Sequence, residues 1–466
     1  MQQISNFLLP IVKTINAYMS DYILIFLLVG AGIYFTVRTK FVQVRCFGEG
    51  MKKVFGNVSL FGGKNKSGLS SFQALATAIA AQVGTGNIVG ACGAILIGGP
   101  GAIFWMWLIA FFGMATIYAE ATLAQETRVV KEDGTVLGGP VYYIKKAYKG
   151  AFGKFLAGFF AVAIIIALGF IGSMVQSNSI GESLNTAFGI PTWVMGLVLA
   201  VICAIIFIGG IQRIASVAEK IVPDMAVIYL IVGIIILIIN FKYIPATFGM
   251  IFKFAFTPHA LIGGSIGAAI KAAISQGVKR GLFSNEAGMG STPHAHAMAN
   301  VEKPHDQGVV AMIGVFIDTF VVLTITALVV ISTLYTNGPL GTAEGLAATT
   351  LTKANLMQTA VGTALGNATL GNIIVAVCLT FFAFTTIISW NFFGKQNVEY
   401  LFGKKATVVY SVIAILFIFA GSLFKNDLVW ELADMFNNIM VIPNVLALIP
   451  LGYIVAKCAK SAKKNK

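Results

Sequence analysis

The sequence predicts an all-α polytopic membrane protein of about eleven transmembrane helices, one extra N-terminal helix plus a five-plus-five inverted repeat with two broken helices. Three observations carry this expectation. The 466 residues are 57% hydrophobic and only 11% charged, with a mean hydropathy of +0.86, far from the balance of a soluble domain. Apolar stretches of the roughly 20 residues that a helix needs to cross a hydrocarbon core recur along the whole chain. Two of those stretches are interrupted by glycines and polar residues, and they fall in corresponding positions once the first span is set aside.

The first span, 20–37, directs insertion. The preceding LLPIVKTINAYM reads as too short and too interrupted to cross, and no small-residue cleavage site marks a removed signal peptide. The second, 69–97, opens the first repeat with SSFQALATAIAAQVGTGNIVGACGAILIGGPG, rich in small residues and broken near its middle. Regular spans follow at 102–125, 152–176, 192–211 and 221–240. The seventh, 260–297, holds LIGGSIGAAIKAAISQGVKRGLFSNEAGMGSTPHAHA, again small-residue-rich and too long for one straight crossing. Spans at 308–334, 369–393, 406–424 and 433–456 complete the set. No Pro/Ser-rich linker divides the chain, so 1–466 reads as a single transport domain: 20–37 the extra span, 69–240 the first repeat, 260–456 the second, and 457–466 a basic tail. Five being odd, the second repeat enters from the opposite side.

Charge gives the orientation. Arg38, Lys40, Arg45, Lys52, Lys53, Lys64 and Lys66 follow span one, and Arg128, Lys131, Lys145, Lys146, Lys149 and Lys154 follow span three. Lys457, Lys460, Lys463, Lys464 and Lys466 end the chain, whereas the opposite loops hold Lys13, Lys242, Lys253, Lys353 and Lys425. The positive-inside rule then places the N-terminus outside and the C-terminus in the cytoplasm of a cell-membrane protein. The net charge of +14 is accounted for by cytoplasmic flanks that meet anionic lipid, not by a nucleic-acid surface. Cys46, Cys92, Cys203, Cys378 and Cys458 lack a metal-ligand spacing and read as buried small residues.

The stretch AQVGTGNIVG, 81–90, carries the chemistry. Its glycines approximate a dinucleotide fingerprint, but that loop needs a preceding strand and a βαβ unit, which a membrane span does not supply. A helix broken at Gly84–Asn87 instead leaves unpaired amides at the N-terminus of its outer half, facing an anion, and free carbonyls on its inner half, facing a cation. A carboxylate and a hard monovalent cation at one break is the chemistry of ion-coupled amino-acid uptake. Small-residue helix packing is the alternative, although packing alone does not call for Gln82, Thr85 and Asn87 together.

The motifs QALATAIAAQVGTGNIVG, GLFSNEAGMGSTPHAHA and FAFTTIISWNFFGKQ, with GGPVYYI in the third loop, resemble the alanine or glycine:cation symporter family over nearly the whole chain. The resemblance implies a leucine-transporter type of fold and sodium-driven, sometimes proton-driven, uptake of small neutral amino acids; some members are glutamine transporters. It further implies that the Thr85 and Gly86 amides hold the substrate carboxylate, with Gln82 and Asn87 contacting substrate or supporting the break. Across from them, Phe283, Ser284, Asn285 and Glu286 offer oxygens to the ammonium, Asn285 foremost, unless Ser284 and Asn285 only cap a half-helix. Phe170 and Ile171 are implied pocket walls and Gln176 a polar wall, unless they serve ordinary span packing. Trp390 limits the pocket or belongs to an interfacial belt. Sodium is implied between spans two and nine, on carbonyls near Ala81 and Gly84 and hydroxyls of Thr385, Thr386 or Ser389, unless those hydroxyls bond their own helix.

Acidic residues in spans are functional candidates because they are expensive there. Glu120 and Glu126 are expected at the cytoplasmic interface. Asp318, nearer mid-depth, is expected to tune cation coupling, to pair with Lys271 or Arg280, or to hold helices together. His294, His296 and His305 fall short of a metalloenzyme's convergent ligands. No cofactor, nucleic acid or obligate protein partner is expected, only the amino acid, sodium or a proton, and the bilayer. The rival from another class is an uncoupled amino-acid channel, for which no filter-like repeat is present.

Overall fold

The computed structural model describes residues 2–56, 69–132, 134–208, 210–257, 266–424 and 426–461. The start of the seventh expected span, 260–265, and Lys64, Lys66, Lys425, Lys463, Lys464 and Lys466 lie outside the described residues.

In chain order the principal elements are α1 (Phe7–Arg38), α2 (Phe47–Phe55), α3 (Ser71–Gln82), α4 (Gly86–Gly98) and α5 (Ala102–Thr127). A short antiparallel hairpin follows, β1 (Val129–Val130) on β2 (Val136–Leu137), which the all-α expectation did not include. Next come α6 (Pro140–Ala147), α7 (Gly150–Phe188), α8 (Thr192–Ile208), α9 (Gly210–Ile239) and α10 (Ile244–Phe256). The second half holds α11 (Ile266–Asn285), α12 (Pro293–Ala297), α13 (Pro304–Thr336), α14 (Leu356–Leu365), α15 (Ala368–Phe402), α16 (Ala406–Gly421), α17 (Asn426–Leu448) and α18 (Gly452–Ser461).

Apolar side chains face outward as well as inward. Val201, Ile205 and Ile208 on α8, Ile231, Ile234 and Ile238 on α9, and Val408, Val412 and Leu416 on α16 are exposed at helical spacing, as lipid-facing side chains should be. Small and polar residues are set among large apolar ones in the interior: α15 buries Leu379, Phe382 and Phe393 alongside Gly371, Ala376, Thr385, Thr386, Ser389 and Asn391. Small residues let backbones approach closely where lipid offers no hydrophobic drive between helices.

The first expected span needs correction. LLPIVKTINAYM is helical and continuous with it, despite Pro10. Within that stretch Asn16 Nδ2 donates to the Glu431 carbonyl at 2.8 Å and to Glu431 Oε2 at 2.7 Å, and Ser20, at the start of the expected span, accepts from Asn438 Nδ2 at 3.0 Å. The last expected span also differs, bending by 65° between α17 and α18.

Both expected breaks are present. α3 starts at a capping box, Ser70 Oγ accepting from Gln73 N while Gln73 Oε1 accepts from Ser70 N, and stops at Gln82; α4 resumes at Gly86 after a 45° bend. α11 stops at Asn285, and the chain then passes through Glu286 at φ 58°, Gly288 at φ 89° and Gly290 at φ 81° before α12. Glycine takes that left-handed region without penalty; Glu286 does not, so its neighbours must hold it there. Leu69 N donates to the Met298 carbonyl at 2.9 Å and Asn300 N to the Leu69 carbonyl at 2.8 Å, clamping the start of α3 to the chain just after α12.

Candidate functional site

The two breaks meet. Gln82 Nε2, on the last turn of α3, donates to the carbonyl of Asn285, on the last residue of α11, at 2.7 Å. A Cβ on Gly86 would stand 3.0 Å from Ser284 Cα and 3.1 Å from Phe283 Cδ1, so the opening turn of α4 lies directly on α11 and needs glycine there. The N–H groups of that opening turn are the ones a helix cannot pair internally, and one of them, Asn87 N, donates to the Gly84 carbonyl at 3.3 Å.

Several expected contacts are already committed to the protein. The Thr85 amide donates to Gln176 Oε1 at 3.2 Å, so Gln176 holds one of the two amides expected to hold a carboxylate. Asn87 closes the break on itself, its Oδ1 accepting from Gly84 N at 3.0 Å, while its Nδ2 donates to Asp318 Oδ1 at 2.7 Å. Asn285 Oδ1 accepts from Ala287 N at 3.0 Å and its Nδ2 donates to Thr319 Oγ1 at 3.3 Å. Asn87 and Asn285 thus shape the unwound segments. Polar atoms at the same junction, Gln82 Oε1, Thr85 Oγ1, Gln176 Nε2 and Ser389 Oγ, are buried without a hydrogen-bond partner among the described residues. Buried groups of that kind are expensive unless a ligand or ion meets them.

Aromatic rings wall this junction. Trp390 is buried, with a Cβ on Gly172 placed 2.6 Å from its ring, and Phe283 meets it edge-on at 5.9 Å. Its Nε1 donates to Glu286 Oε1 at 2.6 Å, and Ser291 Oγ donates to Glu286 Oε2, which accounts for the strained Glu286 backbone. The interfacial-belt alternative for Trp390 is therefore set aside, since a belt residue keeps its N–H at the water boundary. Ile171 is buried beside Gly172. Phe170 instead stacks on Phe417 at 4.8 Å and lies 5.5 Å from Tyr410, both on α16.

On the other side of the break, Thr386 Oγ1 lies within 2.9 Å of the Ala80 carbonyl and 3.0 Å of the Phe382 carbonyl. A Cβ on Gly84 would collide with that hydroxyl. Thr385 Oγ1 donates to the Phe382 carbonyl at 3.0 Å and faces Met225 Sδ at 3.6 Å. Thr386, Gly84 and the carbonyl of Ala80, one residue before the expected Ala81, thus converge, whereas Thr385 bonds its own helix.

Asp318 pairs with neither Lys271 nor Arg280. It accepts from Asn87, from Ser284 Oγ at 2.9 Å and from Thr319 Oγ1 at 2.8 Å, tying α13 to both breaks. Arg280 is bound bidentately by Asp434, at 3.0 and 2.8 Å, with Lys279 2.9 Å away. Asp434, the second residue of the last expected span, carries the same signal as Asp318, an acid inside a span, in ELADMF. Glu120 does not reach the interface either. It is fully buried, accepting from Gly288 N and Gly290 N at 3.0 Å each and from Asn444 Nδ2 at 2.6 Å, and so supports the second break. Glu126 is exposed. His294 and His296 are buried on Asn397 and Gln307.

The fold is similar to that of solved transporters. The structure of MhsT in complex with L-phenylalanine matches with a TM-score of 0.58 at 14% identity, covering 85% of this chain and 98% of that one. A manganese transporter of Eremococcus coleocola matches with a TM-score of 0.51, covering 84% of each chain. In sequence, the chain is 40% identical over 452 residues to the "Sodium/alanine symporter AgcS" of Methanococcus maripaludis, covering 97% of this chain and 96% of the relative. It is 38% identical to the "Probable sodium/glutamine symporter GlnT" of Bacillus subtilis, covering 100% of this chain and 92% of the relative. A family model described as the sodium:alanine symporter family matches residues 5–466. The chain belongs to that family, and is a multi-pass membrane transporter rather than an enzyme.

Proposed function

We propose that the protein couples inward sodium flow to uptake of a small neutral amino acid, alanine or glycine, across the cell membrane. Eleven crossings arranged as one helix plus two inverted five-helix repeats, with the N-terminus outside and the C-terminus in the cytoplasm, are the topology this reading requires. The observation that carries it is the junction of the two breaks at Gln82 and the Asn285 carbonyl, with Thr386 on the end of α3 and Trp390 on Glu286 of the second break.

The substrate carboxylate sits at the opening turn of α4, where Gly86 and the amides that follow present positive partial charge. Thr85 contributes through its buried hydroxyl, and through its amide when Gln176 lets go. The ammonium lies toward Ser284 and the polar cluster around Asp318. Sodium is held by oxygens alone, the Ala80, Ala81 and Gly84 carbonyls with Thr386 and Ser389, a donor set that suits a hard cation. Ion and substrate share one broken helix, so filling either site favours the geometry of the other, and that reciprocity is the coupling. Trp390, locked by Glu286 and pressed on Gly172, favours alanine over glutamine, the substrate in the name of the Bacillus relative.

Uptake of labelled alanine into proteoliposomes, driven by an imposed sodium gradient, tests this against an uncoupled channel. Concentrative, saturable uptake that collapses when the gradient is dissipated supports the reading. Equilibration without accumulation favours the channel, and failure of every neutral amino acid to compete removes the substrate class.

A further inference from the structure

Away from the breaks, Cys46, Glu49 and His305 bring one ligand atom each to within 4.8 Å of one another. Cys46 caps the start of α2 and Glu49 follows one turn later, on the same face of that helix. His305 is the second residue of α13, reached from far along the sequence. Cys46 and His305 are each 3% exposed, and His305 Nε2 stands 3.3 Å from Glu49 Oε1. Spacing along the chain gave no metal signature because the third ligand arrives only when α2 packs on α13.

That packing is tight. A Cβ on Gly50 would stand 2.7 Å from Ile313 Cγ1 and 2.9 Å from the Val309 carbonyl, so the ligands are held by rigid elements. Tyr118 OH lies 2.7 Å from His305 Nδ1. When Nδ1–H donates to that oxygen, Nε2 turns a lone pair toward Cys46 and Glu49, the outer arrangement that orients a metal-binding imidazole. Neighbouring charges are partly paired: Lys53 is 3.1 Å from Asp306.

We propose that Cys46, Glu49 and His305 form a binding site for zinc, separate from the transported cation and independent of the transport reading. Thiolate, imidazole and carboxylate together suit Zn²⁺ and do not suit sodium, calcium or magnesium, which prefer oxygen alone. Three protein ligands leave the fourth position of a tetrahedral ion to water, the pattern of an exchangeable site. A cavity of about 420 Å³ lined by Glu126, Lys146, Lys303, Lys457 and Cys458 reaches His305, and the Glu49 side chain is itself 31% exposed. Its lysines repel a divalent ion, which makes the site weaker than a closed four-ligand one. The charge bias of the loops places this end of the molecule in the cytoplasm, where thiols stay reduced. Zinc bound there staples α2 to the end of α13, the helix that carries Asp318 to the breaks, and so restrains that helix when the site changes shape.

Cobalt(II) added to the metal-stripped, full-length protein in detergent is the probe. The expected result is one equivalent bound with a tetrahedral visible spectrum and a thiolate charge-transfer band in the near ultraviolet, both displaced by zinc. Cys46→Ser should abolish the charge-transfer band, and Glu49→Gln and His305→Ala should each weaken binding at least about tenfold, while Cys458→Ser leaves it unchanged. Thermal unfolding of each variant without metal separates loss of ligand from loss of fold. Absence of the band in the native protein, or a band that survives Cys46→Ser or disappears with Cys458→Ser, overturns the assignment.

Discussion

The hydroxyl of Thr386 rests 2.9 Å from the carbonyl of Ala80, joining the middle of α15 to the last full turn of α3 before it unwinds. A single methyl on Gly84 would displace it. Thr386→Val keeps the shape and removes the oxygen. The expected outcome is a fold that survives, with a loss of about 1–3 kcal/mol for the carbonyl left behind, and sodium activation of alanine uptake shifted to higher sodium by tenfold or more. An unchanged sodium dependence would take Thr386 out of the cation site.

Asp318 is surrounded by donors from three directions: Asn87, Ser284 and Thr319. Asp318→Asn turns one acceptor into a donor that opposes them. Sodium activation should be abolished or markedly altered, and protection by alanine against unfolding weakened, because the ammonium lies toward this cluster; native sodium activation in the variant removes Asp318 from coupling.

Gly86→Ala puts a methyl 3.0 Å from the Ser284 backbone, which cannot give way as a flexible side chain can. Overpacking of this kind costs about 1–3 kcal/mol, and alanine binding measured by calorimetry should be lost. Retention of native affinity would show that the opening turn of α4 is not where the carboxylate sits.

Trp390→Phe removes the donor to Glu286 and opens space next to Gly172. The range of competitors in alanine uptake should widen to include glutamine, whereas an identical competition panel would move the size limit elsewhere.

Lys353 lies in the loop before α14, between α13 and the rest of the second half, 3.6 Å from Asp427 and 4.9 Å from the centre of the Trp430 ring. Burial, and then the nearby Arg280, pull its ammonium down from 10.5 to about 8, against Asp427, Asp434 and Glu431, which raise it. Between about pH 8 and 10.5 the unfolded chain therefore binds the proton and the folded one does not, so this group's contribution to stability rises with pH across that window and is lost as pH falls through 8. Lys353→Met should raise the melting temperature most below pH 8, the difference from the native protein narrowing toward pH 10.5. A difference that is flat with pH contradicts the shift.

Both helix interruptions are legible in the sequence, and for identifiable reasons. Unpaired backbone is excluded from the hydrocarbon core, so long apolar stretches mark the helical class, and glycine with polar residues marks both interruptions. Resemblance then pointed at Thr386, which the fold places against the first break, and at Trp390, one turn along α15, which it places against Glu286 in the second. What misled was the environment of single polar groups. Glu120 was expected to snorkel because position along a span says how deep a residue is, not which way it faces; the fold turns it inward onto the Gly288 and Gly290 amides. Asp318 was offered basic partners by charge alone, yet Arg280 is claimed by Asp434, and only packing decides which of two carboxylates a guanidinium meets.

The sequence by itself therefore determined the solvent, the helical class and the two places where helices unwind, because these follow from local composition and from the cost of unpaired backbone in lipid. Tertiary structure alone decided that Gln82 reaches the Asn285 carbonyl, that Gln176 occupies the Thr85 amide, and that Cys46 and His305 become neighbours. Each of those contacts joins residues far apart along the chain, and a polar atom's partner is set by which helix faces bury together, a property that no local window of sequence contains.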